Sequence, residues 1–273
     1  MTITTGRRSF EPGEYVMFGF YEIAGRFYNL PHVKLSVTST QGGLPPSAGK
    51  SLAFGEEFGR ISWGKRWNGS RTSAYEYGDH NPKDNKLDWL SPSAVSTHAG
   101  VATFTARPSR RILENGRLAW ETGLLTTENT DEDFMVRPGD YAETRVRLPD
   151  AHGAWPALWT WKDGNGEVDV FEYHPNNFDL LELTNRVRPA GTYYRDPESI
   201  GPGRWITIGV HFGAHSSDWY LNGRRIYSDH TGVGNNWSAH LILNLSVCAG
   251  AYHPPPEGRT PFSFAVDYLR VWR

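Results

Sequence analysis

Several features that are common in proteins are scarce in this 273-residue chain. The single cysteine, Cys248, excludes an internal disulfide framework and a zinc site of the Cys-x-x-Cys type. No window approaches the roughly 20 apolar residues of a membrane helix, and no apolar signal-peptide segment follows the polar amino terminus. The net charge is −2, without a long run of one sign, which argues against a nucleic-acid groove or an anionic membrane as partner. Helical periodicity is nearly absent.

Aromatic residues and short strand-like runs are abundant instead. Aromatic side chains make up 14% of the chain and 11 of them are Trp, so we expect some indoles to line a sugar-binding cleft while most pack the core. Alternating or β-branched runs separated by Gly, Pro and Asn are typical of a β-sandwich or barrel. They cover residues 32–38, 101–107, 141–148, 204–212, 218–228, 240–247 and 262–272, and Asn222-Gly223 predicts a hairpin turn.

The chain is predicted to contain one large domain and a short extension. Residues 39–50, STQGGLPPSAGK, have the composition of a linker. The N-terminal extension, residues 1–50, is too short to fold alone, so we expect it to pack on the main domain, residues 51–273. We expect a monomer without nucleic-acid or membrane partners.

One acidic stretch, GNGEVDVFEYH at residues 164–174, is unusual because carboxylates interrupt an apolar run. In a strand, Glu167 and Asp169 share one face, while Val168 and Val170 share the other and are expected to face the core. A regular strand would turn Glu172 toward that core, where an unpaired carboxylate is costly. A β-bulge between Asp169 and Glu172 adds one residue and returns Glu172 to the face of Glu167.

Two glutamates on one face match the requirement of a retaining glycosidase. One carboxylate attacks the anomeric carbon, and the other protonates the leaving oxygen and then deprotonates water. Asp169 between them is expected to hydrogen-bond the nucleophile and to separate the two pKa values. The alternatives are an acidic edge strand that blocks aggregation and a calcium site at DGNGE, residues 163–167. DGNG is more typical of a hairpin turn.

The upstream segment GAWPALWTW, residues 153–161, strengthens the first interpretation. Trp155, Trp159 and Trp161 have the same parity and would share a face of one strand. If the DGNG turn pairs that strand with the acidic one, the three indoles flank the carboxylates.

These two segments together resemble glycoside hydrolase family 16, the laminarinase-like group, whose signature is E-x-D-x-x-E after a G-x-W-P-A-x-W strand. Weaker matches follow in the family's order, so the resemblance covers about residues 51–273: LAFGEEF, TGLLT, YAETRVRLP, DWYLNG, LILNLSV and FAVDYLRVW. It implies an all-β, concanavalin A-like jelly roll of two curved antiparallel sheets with a cleft on the concave face. It also implies retaining endo-hydrolysis of a β-linked polysaccharide, a β-1,3-glucan in this group.

By matching position, the resemblance implies roles for individual residues. Glu167 matches the nucleophile, Glu172 the acid/base and Asp169 the supporting carboxylate, while Trp155 and Trp159 match positions that stack on sugar rings. Many relatives bind a structural calcium partly through the Asp of the last strand, which is Asp267 here, and no other cofactor is expected.

Other residues are candidates for substrate contact, or depart from the family pattern where it sets specificity. Trp161, Tyr141, Arg145 and His174 are the further substrate-binding candidates, although Arg145 could equally form an ion pair and His174 could be a surface residue. Tyr141 stands where the family has Arg. Cys248, Ala249 and Tyr252 replace the usual Gly-Gly and Trp.

Four other functions remain open beside β-1,3-glucan hydrolysis. Within the same enzyme class they are hydrolysis of a β-galactan such as agarose or carrageenan, and transglycosylation. The other two are a non-catalytic carbohydrate-binding jelly roll and a viral or phage surface protein that trims capsule sugars by the same chemistry. We expect the protein to act outside the cell, although no signal peptide is visible.

Overall fold

The computed structural model describes residues 13–17, 20–29, 33–37 and 45–273. The chain divides into two compact units, Met1–Leu44 and Pro45–Arg273. Residues 39–44 of the predicted linker lie outside the described residues. The packing of the N-terminal extension on the main domain stays a prediction.

The first unit contains two antiparallel strand pairs. Strand β1 (Gly13–Met17) pairs with β4 (Val33–Val37), which confirms the strand predicted within residues 32–38. Strand β2 (Phe20–Ile23) pairs with β3 (Arg26–Asn29).

The second unit is built from strands. In chain order they are β5 (Leu52–Glu56), β6 (Asp88–Leu90), β7 (Val95–His98), β8 (Val101–Ile112), β9 (Leu118–Thr122), β10 (Leu124–Thr126), β11 (Met135–Val136), β12 (Tyr141–Arg147), β13 (Ala154–Trp161), β14 (Val168–Tyr173), β15 (Leu180–Asn185), β16 (Ala190–Arg195), β17 (Trp205–His211), β18 (Asp218–Leu221), β19 (Arg224–Ser228), β20 (Ala239–Val247) and β21 (Phe262–Trp272). The helices in the described parts of the chain are three short 3₁₀ turns, Pro82–Asp84, Pro92–Ala94 and Pro175–Asn177. Within those parts, no helix has the length and apolarity needed to cross a membrane.

These strands form two sheets. The first has seven strands in the order β10-β20-β13-β14-β15-β16, with β11 also paired to β20. The second has ten strands in the order β19-β18-β17-β12-β21-β8-β9-β6, with β5 paired to β21 and β7 to β8. All of these pairs are antiparallel except β6 with β9. The predicted all-β architecture of two antiparallel sheets is therefore confirmed.

Every run of the main domain that was predicted to be a strand contains one in the structure. The alternation of apolar and polar residues is a local property that does not depend on which strands become neighbours. The predicted hairpin turn joins β18 to β19, and Asn222 and Gly223 both have positive φ, 50° and 78°. The two central residues of a type I′ turn require this conformation, which Asn and Gly adopt at low cost. Strands β15 and β16 were not predicted.

The core lies between the two sheets, and one of its hydrogen bonds links the second sheet to the acidic strand. The side chain of Trp219 on β18 is fully buried. Its indole Nε1 donates a hydrogen bond of 3.0 Å to the backbone carbonyl of Asp169 on β14. The rings of Phe171 on β14 and Phe264 on β21 also meet, with centroids 6.4 Å apart. The second sheet therefore helps to hold β14 in position.

We expect Trp219→Phe to lower the free energy of unfolding by about 1–3 kcal/mol more than Trp237→Phe, because it removes a buried hydrogen-bond donor. Trp237 is the control, since its Nε1 is buried with no hydrogen-bond partner in the described parts of the chain, and the same ring change there breaks no bond within them. Denaturant unfolding of the two variants measures the difference. Equal losses would show that the bond to Asp169 contributes nothing.

Candidate active site

The predicted hairpin between the Trp strand and the acidic strand is present. Strands β13 and β14 pair antiparallel, and Lys162 and Asn165 exchange backbone hydrogen bonds of 2.7 and 2.9 Å at the turn. Asp163 and Gly164 between them have φ of 52° and 79°, as a type I′ turn requires. The Asp-Gly pair therefore sets the register that brings the indoles beside the carboxylates.

The predicted β-bulge is also present. Leu158 pairs with Phe171 and the next residue, Trp159, pairs with Asp169, which leaves Val170 as an extra residue in β14. The register against β15 shifts over the same segment, between Asp169 and Glu172. Val170 is fully buried, as predicted. The bulge therefore turns Glu172 out of the core.

The carboxylates face a cleft of about 990 Å³ on the first sheet. Seven residues singled out from the sequence line it together: Trp155, Trp159, Trp161, Glu167, Asp169, Glu172 and His174. Tyr252, which stands in place of the family's Trp, lines it too, and five other lining residues were not foreseen: Lys86, Glu182, Arg186, Tyr193 and His253.

Glu172 has the electrostatic surroundings of a general acid. Burial is the largest cause that raises its pKa to about 7, and the negative charge of Glu182 adds to it. The indole Nε1 of Trp155 donates a 2.8 Å hydrogen bond to Glu172 Oε1 and lowers the pKa, which limits the rise. A carboxyl that titrates near neutral pH can give and take a proton at working pH.

The surroundings of Glu167 differ from those of Glu172, because Glu167 forms an ion pair with Arg186. The guanidinium Nε of Arg186 lies 2.8 Å from Glu167 Oε1. Burial raises the pKa of Glu167, and the charge of Arg186 is the strongest influence in the opposite direction. The ion pair therefore favours the carboxylate form that a nucleophile needs.

Asp169 lies between the two glutamates and is buried, with 3% of its surface exposed. Burial, followed by the charges of Glu172 and Glu167, raises its pKa well above the usual range. Its Oδ2 is buried, has no hydrogen-bond partner within the described residues and lies 3.9 Å from Arg186 Nε. The hydrogen bond from Asp169 to the nucleophile stays a prediction. The raised pKa of Asp169 favours the protonated form, which is the form that can donate this bond.

A chain of buried hydrogen bonds holds Trp159 in the cleft. Its Nε1 donates to Asn244 Oδ1 at 2.9 Å, and Asn244 Nδ2 donates to Ser246 Oγ at 2.7 Å. The Ser246 hydroxyl lies 3.2 Å from the Tyr75 hydroxyl, which donates to Asp88 at 2.6 Å. Because each member is positioned by the next, the indole of Trp159 is held before any ligand arrives.

This chain is similar to known glucan-degrading enzymes. No protein-family model matches the chain. The endo-1,3-1,4-beta-glycanase EglC of Rhizobium meliloti (strain 1021) is 26% identical, over 67% of this chain and 40% of that protein. A beta-glucanase of Rhodothermus marinus is 24% identical, over 73% of this chain and 78% of that protein. The chain resembles bacterial β-glucanases. It spans only about 40% of the length of EglC.

A solved structure confirms the predicted fold of this glucanase-like chain. The catalytic domain of an endo-1,3-beta-glucanase (laminarinase) from Thermotoga petrophila RKU-1 superposes with a TM-score of 0.69 at 21% identity. The match covers 82% of this chain and 98% of that one. The likeness shows the jelly-roll fold.

Two of the predicted substrate-binding residues of the glucanase-like chain do not reach the cleft. Tyr141 and Arg145 lie on β12 in the second sheet, contrary to the prediction that they bind substrate beside the glutamates. They alternate with Ala142 and Thr144, which are fully buried, so they occupy the opposite face of β12. The Tyr141 hydroxyl donates to Glu143 at 2.7 Å, a contact within the second sheet.

Asp267 also lies on the second sheet, where Arg145 Nη1 donates to its Oδ2 at 3.0 Å. A guanidinium at this oxygen repels a calcium ion, so the contact favours a hydrogen-bonded Asp267 over one that binds calcium. Calcium binding stays a prediction, and no catalytic step below depends on it.

His174 is buried in the cleft with 4% of its surface exposed, so it is not a surface residue. Burial is the largest cause that lowers its pKa to about 3, followed by the charges of His253 and Lys86. The imidazole is therefore neutral at working pH. Contact between His174 and the substrate stays a prediction.

Four of the lining residues were not predicted from the sequence, for two different reasons. Glu182 and Arg186 lie on and just after β15, and the alternation in LLELTN could have predicted that strand. Lys86 and His253 lie in loops without periodicity, so no local signal marked them.

Proposed function

We propose that this chain is a retaining endo-glucanase of the glycoside hydrolase family 16 type that cleaves β-1,3-linked glucan. The observation that carries the proposal is the bulged strand β14, which presents two glutamates with opposite electrostatic partners to one cleft. Glu167 pairs with Arg186, whereas Glu172 is buried beside Glu182. The names of the similar proteins, an endo-1,3-beta-glucanase and an endo-1,3-1,4-beta-glycanase, support the substrate class.

In the first step, the ionised Glu167 attacks the anomeric carbon of the bound sugar. The protonated Glu172 donates its proton to the glycosidic oxygen as the bond to the leaving chain breaks. Arg186 favours the anionic nucleophile by opposing the rise that burial causes in the pKa of Glu167, whereas burial favours the neutral form of Glu172, the acid.

In the second step, the glycosyl ester on Glu167 is hydrolysed. Glu172, now ionised, takes a proton from a water molecule, and the resulting hydroxide attacks the anomeric carbon from the face that the leaving chain vacated. The configuration at that carbon is retained after two inversions. If a sugar hydroxyl replaces water, the same two carboxyls perform transglycosylation.

The cleft also supports binding of a polymer. Trp155, Trp159 and Trp161 line it together, and flat aromatic faces pack well against the C–H faces of sugars. A non-catalytic sugar-binding domain would have no use for an acid with a pKa near neutrality beside an Arg-paired glutamate. Since polysaccharides do not cross membranes, we place the reaction outside the cell.

Reducing-sugar release from laminarin, mixed-linkage glucan, agarose, carrageenan and arabinogalactan tests the proposal. We expect release from laminarin, with retained β-configuration in the first product formed. Release from agarose or carrageenan alone would replace the glucan with a galactan. Binding of laminarin without any release would overturn the enzymatic proposal in favour of the binding domain.

The pH profile gives a sharper test of the Glu172 assignment. Because Glu172 must be protonated, kcat/KM is expected to fall on the alkaline side as pH rises through its pKa of about 7. In Trp155→Phe the Glu172 carboxylate loses a hydrogen-bond donor, so its pKa rises and this limb moves up by about one pH unit.

The control for this variant lies in the same cleft. Trp161 Nε1 is buried and has no hydrogen-bond partner among the residues that the structure describes, so Trp161→Phe makes the same ring change without removing a bond to Glu172. An alkaline limb that stays in place in Trp155→Phe, or that moves equally in both variants, would contradict the role of Glu172 as acid.

A further inference from the structure

Three potential metal ligands converge at one end of the cleft, apart from the two glutamates assigned to catalysis. Glu182 Oε1 lies 3.3 Å from His253 Nε2 and 4.0 Å from His174 Nε2. The ligand atoms of all three residues lie within 4.8 Å of one another. Both imidazoles therefore present Nε2 to the same carboxylate oxygen. We refer to His174, Glu182 and His253 as the His-Glu-His cluster.

The second nitrogen of each imidazole has its own partner. His174 Nδ1 lies 3.6 Å from the buried Cys248 Sγ, and His253 Nδ1 lies 3.0 Å from Asn176 Oδ1. The two rings stack in parallel with centroids 3.4 Å apart. Metal-binding histidines are typically oriented by such contacts to the nitrogen that does not bind the metal.

The three ligands come from separate segments that the fold holds in place. His174 directly follows β14, Glu182 lies on β15, and His253 belongs to the loop after β20. This loop is anchored where the backbone amides of Ala249 and Ala251 donate to Asn85, each at 2.7 Å. The three prolines that follow His253, residues 254–256, restrict this loop further, because proline fixes φ. The backbone that carries the cluster is thus largely preorganised.

We propose that the His-Glu-His cluster binds a late first-row divalent cation such as Zn²⁺. Two imidazoles and one carboxylate match the ligand types and the number that zinc sites with an open coordination position use. Donor atoms around tetrahedral zinc lie about 3.3 Å apart, which is the present separation of Glu182 Oε1 and His253 Nε2, and the two stacked rings turn out of their parallel arrangement so that both Nε2 atoms point at the ion. Imidazole nitrogen favours Zn²⁺, Cu²⁺ or Ni²⁺ over Ca²⁺ and Mg²⁺, which prefer oxygen ligands.

The proposal is independent of the glucanase activity, although the site adjoins the acid/base. Glu182 pairs directly across the sheet with Glu172. A cation at the cluster would therefore lie beside Glu172.

The experiment measures metal binding on the full chain, without using hydrolysis as a readout. The metal-free protein is titrated with Zn²⁺ by calorimetry and with Co²⁺ by visible absorption, which reports imidazole ligation directly. We expect one ion per chain, and a melting temperature that rises with Zn²⁺ and returns to its starting value with a chelator. His253→Ala and Glu182→Gln are each expected to weaken binding by more than about tenfold.

A His–Glu pair elsewhere on the surface provides the matched control. His152 Nδ1 lies 2.6 Å from Glu257 Oε1, and this pair belongs to no three-ligand group within the described residues. His152→Ala is expected to leave the affinity unchanged. The proposal is overturned if the wild-type chain binds neither ion, if His152→Ala weakens binding as much, or if both cluster variants bind as tightly as the wild type. Melting curves without metal establish that each variant is folded.

Discussion

Glu167→Gln is expected to reduce hydrolysis of laminarin by more than about 10³-fold while leaving the fold and oligosaccharide binding intact. Loss of an activated nucleophile removes the covalent pathway altogether, and an amide cannot replace it. The glutamine has the shape of the glutamate and keeps an oxygen that can accept from Arg186, so the cleft keeps its form. Initial rates of reducing-sugar release and calorimetric binding of a laminarin oligosaccharide measure the two effects separately.

A second Arg–Glu pair lets the loss of chemistry be separated from the loss of an ion pair. Arg66 Nε lies 2.9 Å from Glu132 Oε2, and the two side chains are not among the residues that line the cleft. Glu132→Gln likewise removes the charge of the carboxylate from an Arg–Glu pair and is expected to retain full activity. If Glu167→Gln also retained full activity, another residue would have to be the nucleophile.

Glu172→Gln is expected to slow hydrolysis of the polysaccharide by about 10²–10⁴-fold, the contribution typical of general acid–base catalysis. The loss should be much smaller for the first step on an aryl glycoside with an acidic leaving group, which departs without a proton. Added azide should restore turnover of that substrate, because an anion needs no general base to attack the glycosyl ester.

This pattern distinguishes the acid/base from the nucleophile. Glu167→Gln should be equally inactive on both substrates and form no β-glycosyl azide. Equal losses on the polysaccharide and on the activated substrate in Glu172→Gln would contradict its role as acid. The alkaline limb near pH 7 should also disappear from the residual activity of this variant, since the titrating group is gone.

The parts of the site that were predictable from the sequence are those set by neighbours along the chain. Alternation placed Val168 and Val170 in the core, and the cost of burying Glu172 predicted the bulge, which the register of β13 against β14 confirms. The Asp-Gly turn predicted the hairpin that joins these strands. Each of these inferences needs only the period of a strand and the conformational preference of a turn.

The remaining parts depend on which strands become neighbours. Tyr141 and Arg145 carry side chains suited to a sugar site, but β12 pairs with β17 and β21 in the second sheet. Conversely, Arg186 and His253 reach the cleft from a strand end and a loop that are distant in sequence from Glu167. Periodicity shows which face a residue occupies and does not show which sheet that face belongs to.

The extra residue in β14 makes the length of this segment as important as its composition. Deleting one residue between Asp169 and Glu172 would remove the bulge and leave a regular strand in which Glu172 still shares the face of Glu167. Adding one residue there without a second bulge would instead turn Glu172 into the core, even if every functional side chain were kept. Natural variation in this part of the chain should therefore consist mainly of substitutions, and gains of a single residue should concentrate in the loops that border the cleft.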